Sequence, residues 1–321
     1  MDTTNTNPTP LPPDEELVEA RKPASLLVAQ FFLFPLIIIG ICVGIFLFFG
    51  YLTYEQRTPT QYLSDIRSGN GNQRWQAAYE LSVLVRSNPE KARTPEFVES
   101  LMTAYRESPD EDIRVRSHLA LMLGEMKDRS AVPLLVEGIA REENLKSADW
   151  SKKGWIQILR PSLDEITDDL IRSQLSGLWA LRTIGDNSAV PGVLEQVKNQ
   201  NSTVRSVAAY VAGELGDPRA IEPLRVLLND PKEDVRSNAA LALAQLGDNE
   251  GADLLMKFLD HGYVDGLMDF DPEQKTELTV NAIIALSKLK YAPAFEQIRV
   301  LSQNDPNLAV RGAALDALKK F

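Results

Sequence analysis

Apolar residues recur every three or four positions in the stretch STVRSVAAYVAGELGD, residues 202–217, which is the spacing of one face of an α-helix. The same arrangement returns 31 residues later in DVRSNAALALAQLGD, residues 234–248, where Arg236 takes the place of Arg205. Both stretches finish on a Gly-Asp pair, which predicts the end of each helix. Such similarity at a fixed period is typical of proteins built from stacked helical repeats.

The pattern continues through the chain after residue 60. Each unit contains two predicted helices, of which the second carries the pattern and the first often begins near a proline. The pattern residue, usually arginine, falls at Arg74, Arg116, Gln174, Arg205, Arg236, Thr279 and Arg311. The sequence therefore predicts an all-α fold, a right-handed α-solenoid of about seven helix pairs over residues 60–321.

This pattern resembles the short HEAT-like repeats of the phycobilisome-lyase type, a branch of the HEAT and armadillo superfamily. The residues that carry the resemblance are Val204, Arg205, Ala208, Ala209, Leu215, Gly216 and Asp217, with Val235, Arg236, Ala239, Ala240, Leu246, Gly247 and Asp248 in the next unit. The resemblance implies the fold. It says little about function, because enzymes, adaptors and assembly factors all contain such repeats.

The resemblance also implies a role for the recurring arginine and aspartate residues. In this family they hydrogen-bond across neighbouring repeats and hold the stacking angle, so we interpret them as a structural ladder rather than a catalytic row. The members of this ladder are Arg116, Asp128, Arg205, Asp217, Arg236 and Asp248. We expect the ladder to be weaker at Gln174 and Thr279, where the arginine is missing.

Three segments precede the repeats. Residues 1–24 are rich in threonine, asparagine and proline and then turn acidic, which predicts a disordered tail. Residues 25–52 contain no charged residue and are long enough to cross a bilayer, which predicts an uncleaved, single-pass transmembrane helix. Residues 53–59 are predicted to be a linker.

Two features of the predicted membrane helix bear on its partners and its orientation. Gly40 and Gly44 form a small-xxx-small pair that would let a second helix approach closely, although glycine is frequent in membrane helices in any case. Basic residues balance on the two sides, and the nearest pair, Arg21 and Lys22, favours a cytoplasmic amino end. The prediction is a bacterial inner-membrane protein. The side of the solenoid stays open, with the periplasm favoured.

The longest insertion in the repeat pattern, residues 144–169, combines tryptophan with basic residues. Because tryptophan and arginine are frequent anchors at interfaces, this insertion is the candidate contact site for a protein partner. Its candidate residues are Trp150, Lys152, Lys153, Trp155 and Arg160. Two alternatives stay open: the tryptophans cover a gap in the solenoid, or they lie on a membrane surface.

Composition excludes several kinds of chemistry. The net charge of −11 argues against a nucleic-acid partner, which requires a basic face. His118 and His261 have neither a second histidine nor a thiol near them in the sequence, and Cys42 lies in the apolar run. This predicts neither a zinc-type site nor a catalytic triad. We therefore predict no metal, no cofactor and no nucleic-acid partner.

Together these features predict a membrane-anchored, non-catalytic protein: a protein-binding scaffold, assembly or regulatory subunit of a membrane complex. A solenoid presents a long surface to its partners, and an anchor raises their local concentration. The alternative, suggested by the resemblance, is a bilin-lyase-like enzyme or chromophore-handling subunit. That alternative would require a thiol or a pocket-lined site in the repeats.

Overall fold

The computed structural model describes residues 32–53, 57–110, 112–146, 163–268 and 270–321. Side chains are described for the same residues except 50–53, 90–91, 143–146 and 163–167. The chain divides into two compact units, Met1–Arg57 and Thr58–Phe321. The boundary falls inside the predicted linker.

In the first unit, helix α1 spans Phe34–Thr53 and its sequence contains no charged residue. The large apolar side chains of residues 32–49 are exposed, and a Cβ atom added at Gly40 or Gly44 would meet nothing within 4 Å. Within the part of the chain that the structure describes, no helix is both long and apolar enough to cross a membrane. These residues therefore do not support the prediction of a transmembrane helix.

Parts of the amino-terminal predictions lie outside the described residues. The predicted tail, residues 1–24, is outside them entirely, as are residues 25–31 of the predicted membrane helix. At the other end of that helix, the side chains of residues 50–52 are not described. The described helix thus covers the predicted span from residue 34 to its end.

The second unit is helical and contains no strand among its described residues. Its helices are α2 Pro59–Ser68, α3 Gly71–Ser87, α4 Pro89–Ala92, α5 Pro95–Glu107, α6 Ile113–Met126, α7 Val132–Lys146, α8 Leu163–Ile184, α9 Val190–Gln196, α10 Ser202–Leu215, α11 Ile221–Leu227, α12 Glu233–Gln245, α13 Ala252–Lys257, α14 His261–Asp265, α15 Pro272–Lys288, α16 Phe295–Asn304 and α17 Leu308–Leu318. Short 3-10 turns at Arg129–Ala131, Asn187–Ala189, Pro218–Ala220 and Ala292–Ala294 lead into α7, α9, α11 and α16.

Contacts between helices divide the second unit into pairs. Over the described residues there are seven pairs: α2 with α3, α5 with α6, α7 with α8, α9 with α10, α11 with α12, α13 with α15, and α16 with α17. The second members also contact one another in chain order, so that α3, α6, α8, α10, α12, α15 and α17 form one continuous row, called here the second-helix layer. The fold is the all-helical repeat array that the sequence pattern predicts.

The Gly-Asp pair after α10 explains how one repeat ends and the next begins. Gly216 adopts φ 72°, a left-handed conformation that glycine accepts without steric cost and that stops the helix. The Asp217 side chain then accepts a 2.8 Å hydrogen bond from the Arg219 backbone N–H and so caps the following 3-10 turn. Asp128, Asp186 and Asp248 cap equivalent turns in other repeats.

Small residues bring the helices of the second-helix layer close together. A Cβ atom added at Gly124 of α6 would lie 2.7 Å from the Cα atom of Ala180 in α8. The same distance would separate a Cβ atom at Gly213 of α10 from the Cα atom of Ala242 in α12. Since such a contact is too short for any side chain, these glycines permit backbone-to-backbone packing between neighbouring repeats.

Candidate partner-binding face

The ladder residue Arg205 links two neighbouring helix pairs. Its guanidinium donates to the backbone oxygen of Asn199 at 2.7 Å, in the turn before its own helix, and to the Asp230 carboxylate at 2.8 and 3.0 Å, in the corresponding turn of the next pair. Asp217, the other predicted ladder residue of this repeat, is instead bonded to the Arg219 side chain. The structure thus brings Arg205 to Asp230 rather than to Asp217.

Arg116 makes the equivalent link in a different way. Its Nη2 atom donates to Glu142 Oε1 at 3.0 Å, and both side chains are only 1% exposed. Ser173 Oγ also donates to Glu142 Oε1, at 2.5 Å. Among the described residues, Glu142 Oε2 and the Nε and Nη1 atoms of Arg116 have no hydrogen-bond partner. Burial raises the pKa of Glu142 to about 7, against the lowering effect of Arg116 and Ser173.

The remaining ladder residues also make their contacts at the turns between helices. Arg236 donates to the backbone oxygen of Asp230 at 2.7 Å, and Asp248 accepts from the Arg225 guanidinium at 2.5 Å. Asp128 accepts from the Ser130 backbone N–H at 2.8 Å. Their structural role stays a prediction, and these contacts are the ones that mutation would remove.

A histidine occupies the place where the ladder lacks its arginine at Thr279. His261 Nε2 lies 2.7 Å from Asp305 Oδ2, and Asp305, in the turn of the last helix pair, is buried. From the sequence, no metal-binding or catalytic role and no partner is predicted for His261. The available signal was Asp305, an acidic residue in the turn before a pattern helix with no arginine in the preceding repeat to pair with it.

The residues predicted for partner contact lie outside the described part of the chain. Trp150, Lys152, Lys153, Trp155 and Arg160 all fall within residues 147–162. The structure therefore neither places them nor relates them to any other site.

One exposed row crosses the second-helix layer. In six successive repeats the residue five positions after the pattern residue is aromatic or aliphatic, and these residues form what we call the exposed row: Tyr79, Leu121, Trp179, Tyr210, Leu241 and Ile284. Tyr79 is 50% exposed, Trp179 38% and Ile284 49%. The other three are half-buried. Exposed apolar side chains in one line are a feature of interaction surfaces, so the row is the candidate partner-binding face.

Two aromatic clusters lie along this row. Near its beginning, Trp75 stacks on Tyr79 with ring centroids 5.9 Å apart, and the Tyr79 ring meets the His118 ring edge-on at 5.9 Å. Burial and the nearby Arg86 guanidinium lower the pKa of His118, so at neutral pH this imidazole is an uncharged member of the cluster.

The second cluster lies at the middle of the row. The rings of Trp179 and Tyr210 are 5.6 Å apart, and the Arg182 guanidinium lies 5.6 and 5.2 Å from their centroids. Arg182 also pairs with Glu214 at 2.9 Å. The cation and the carboxylate neutralise each other, so this part of the face presents flat aromatic surface with little net charge.

A cavity of about 390 Å³ lies where the row crosses α10, α12 and α15. Its apolar lining includes Tyr210, Leu241 and Ile284 of the exposed row. Its polar lining consists of Glu214, Asn238, Gln245, Asn281 and Lys288. The lining thus offers apolar surface together with amide and charged groups that can form hydrogen bonds.

The described residues hold no group of three or more histidine, cysteine, aspartate or glutamate side chains placed to bind a metal ion.

Sequence reasoning missed the exposed row because it looked for insertions rather than for a fixed offset within the repeats. The signal was present: Tyr79, Trp179 and Tyr210 share one offset from the pattern residue.

Comparison with known proteins identifies the class. Residues 190–268 match the family model of HEAT repeats, which confirms the predicted HEAT-like repeats over that range. Together with the stacked helix pairs, this defines an α-helical repeat protein. No curated protein matches the chain.

Two solved structures align with most of this chain at low sequence identity. A chain from the complex of CpcE and CpcF of phycocyanin lyase from Nostoc sp. PCC7120 is 19% identical, with 83% of this chain and 88% of that chain covered and a TM-score of 0.49. Human deoxyhypusine hydroxylase in complex with glycerol is 15% identical, with 82% of this chain and 95% of that chain covered and a TM-score of 0.33. Neither likeness is close enough to bear on ligand or activity.

Proposed function

We propose that this protein is a membrane-anchored, non-catalytic scaffold, assembly or regulatory subunit that holds a protein partner on its second-helix layer. The observation that carries the proposal is the exposed row, which places aromatic and aliphatic side chains at the same offset in six successive repeats. Protein interfaces are enriched in aromatic residues at their centres, with polar residues around them. The amide and charged residues around the cavity provide such a surrounding.

The arrangement of the row favours a long partner segment over a single small contact. Neighbouring members are carried by neighbouring helices, so a bound segment can gain contacts repeat by repeat. Because the helices are packed at Gly124 and Gly213, their spacing is rigidly fixed. A rigid surface loses little conformational entropy when it binds, which increases affinity.

The membrane part of the proposal rests on the uncharged run of residues 25–52, and not on a membrane-spanning helix among the described residues. Helix α1 covers this run from residue 34 onward, and its described apolar side chains are exposed. Burying such side chains in hydrocarbon is favourable, by roughly 25 cal/mol per Å². The full chain should therefore stay with native membranes during extraction at alkaline pH, and a variant lacking residues 34–53 should be released. Release of the full chain would remove the anchor from the proposal and leave the face untouched.

Site-specific photo-crosslinking tests the binding face. A photo-reactive amino acid replaces Tyr79, Trp179 or Ile284 in the full chain, and the cross-linked products are recovered from native membranes. Val226 in α11 is the matched control, because it is apolar and 72% exposed but belongs to a first helix. We expect one common partner from the three row positions and none from Val226. No product from the row, or the same product from Val226, would contradict the proposal.

A further inference from the structure

We infer that the cavity between α10, α12 and α15 takes an extended segment of the partner that carries a carboxylate beside a bulky apolar side chain. The inference rests on the proposed function and names the chemistry that the partner should bring to one part of the binding face. It follows from the charges, the amides and the apolar floor of the cavity.

The charge of the cavity comes from two sites that behave differently. Glu214 is already neutralised, because Oε2 accepts from Arg182 and Oε1 accepts from Gln245 at 2.7 Å. Lys288 donates only to the backbone oxygen of Gln245, at 3.0 Å, and forms no ion pair with any described carboxylate. Its ammonium group is exposed at the rim. The cavity thus presents one uncompensated positive charge, and its complement is a carboxylate.

The amide side chains indicate a polypeptide rather than a free acid. Asn238 uses its NH₂ group to donate to Ser206, at 2.8 Å to Oγ, which leaves its oxygen available as an acceptor. Gln245 likewise donates to Glu214 and keeps its own oxygen. Asn281 is exposed on the next helix. The oxygens of Asn238 and Gln245 can accept from backbone N–H groups of an extended segment, and the Asn281 amide can both accept and donate.

The apolar floor of the cavity determines which side chain should lie next to the carboxylate of the partner segment. Tyr210, Leu241 and Ile284 supply a surface for one large side chain, and the volume of about 390 Å³ lies within the size range of ligand pockets. A polyanion such as a nucleic acid fits poorly, because one lysine beside a carboxylate and three amides provides too little positive charge. The partner segment is therefore acidic at one position and apolar next to it.

Selection from a library of random dodecapeptides displayed on phage tests the inference. The bait is the full chain in detergent, compared with Lys288→Ala, with Lys288→Glu and with the control Val226→Ala. Selection on the parent chain and on the control should enrich aspartate or glutamate next to leucine, isoleucine or phenylalanine. The acidic preference should vanish with Lys288→Ala and turn basic with Lys288→Glu. The best acidic peptide should bind Lys288→Glu about tenfold more weakly, as expected for the loss of a charge-assisted hydrogen bond.

The outcomes separate this inference from the proposed function. Enriched peptides without an acidic residue, the same peptides on parent chain and Lys288→Glu, or no enriched peptide would each overturn the inference. The crosslinks from Tyr79 and Trp179 decide the proposed function independently, because neither residue lines the cavity. Partner crosslinks without acidic peptides would therefore leave the scaffold proposal intact.

Discussion

Two contacts between neighbouring repeats, called joints here, each pair an arginine with a carboxylate. They differ in how deeply the pair is buried and in how many of its polar atoms are hydrogen-bonded. Arg116 and Glu142 meet where both side chains are 1% exposed, and each has a buried polar atom that no described residue bonds. Arg205 and Asp230 are less deeply buried, and Arg205 also bonds to the backbone oxygens of Asn199 and Gln200. Burying a pair of charges costs more than it returns unless hydrogen bonds complete it. At the Arg205 joint, among the described residues, no buried polar atom of the pair lacks a hydrogen bond, whereas at the Arg116 joint several do.

The pKa values of the two carboxyl groups move in opposite directions as a result. Burial dominates at Glu142 and raises its pKa to about 7. Burial also opposes ionisation at Asp230, but the bonds from Arg205 and from the Lys232 backbone N–H outweigh it, so the pKa of Asp230 is lowered. The same repeat pattern therefore produces one carboxyl group, Glu142, whose protonated form is favoured and another, Asp230, whose ionised form is favoured.

The largest expected effect comes from breaking the buried joint on one side only. Glu142→Leu leaves Arg116 without its closest acceptor, so the free energy of unfolding should fall by about 3–5 kcal/mol. Urea unfolding of the full chain in detergent, followed by far-UV circular dichroism, measures this loss. The double variant Arg116→Met/Glu142→Leu should recover at least half of it, because no buried charge is then left alone. A loss below about 1 kcal/mol for Glu142→Leu would show that the pair contributes nothing.

The pH dependence of stability should show an intermediate effect. Between pH 4.5 and about 7, Glu142 holds a proton in the folded chain and loses it on unfolding. Its contribution is therefore fully present below pH 4.5 and is lost as the pH rises through 7, by roughly 3 kcal/mol.

Glu142→Gln isolates this effect because glutamine mimics the protonated acid. The variant should match the parent chain within about 1 kcal/mol at pH 5 and exceed its stability at pH 8. His118, whose pKa is lowered, gives both proteins the same opposite slope, so the difference between the two curves belongs to Glu142. Parallel curves would exclude a proton on Glu142 in the folded chain.

The smallest expected effect is at the Arg205 joint. Asp230→Asn removes one charge, but Arg205 keeps its two backbone acceptors, so the loss should be about 1–2 kcal/mol at pH 7. Because the pKa of Asp230 is lowered, that contribution is present above the ordinary pKa of aspartate and disappears as the pH falls through the lower, folded-state value. Equal losses at the two joints, measured by the same urea titration, would remove the contrast between them.

The repeat pattern was sufficient to predict the helix pairs, for a physical reason. Buried positions such as Ala209 and Ala240 recur at helical spacing, and Gly216 marks a place where the backbone turns left-handed. The short helices α4 and α14 were not predicted. Helices of four or five residues are too short to show a period, and they lie within insertions between the pattern helices.

The site was less accessible to sequence reasoning than the fold. Pairing depends on which groups the stacking brings together, so nothing local to Arg205 points to Asp230 rather than to Asp217. Exposure is also a collective property: Trp179 and Leu178 are adjacent in the chain, yet the first is on the face and the second is fully buried. A sequence pattern locates the helix, whereas the neighbouring repeats decide which side chains remain in solvent.

The glycine contacts within the second-helix layer also set the spacing at which a bound partner meets successive helices. Helices that touch at Gly124 and Gly213 lie at the short end of the usual interaxial range, roughly 8–10 Å. A polyproline II chain advances about 3.1 Å per residue and repeats every three residues, so one turn spans about 9 Å. A partner in that conformation presents the same side to each successive helix. The residues of the partner that contact the layer would then recur every three positions in its sequence.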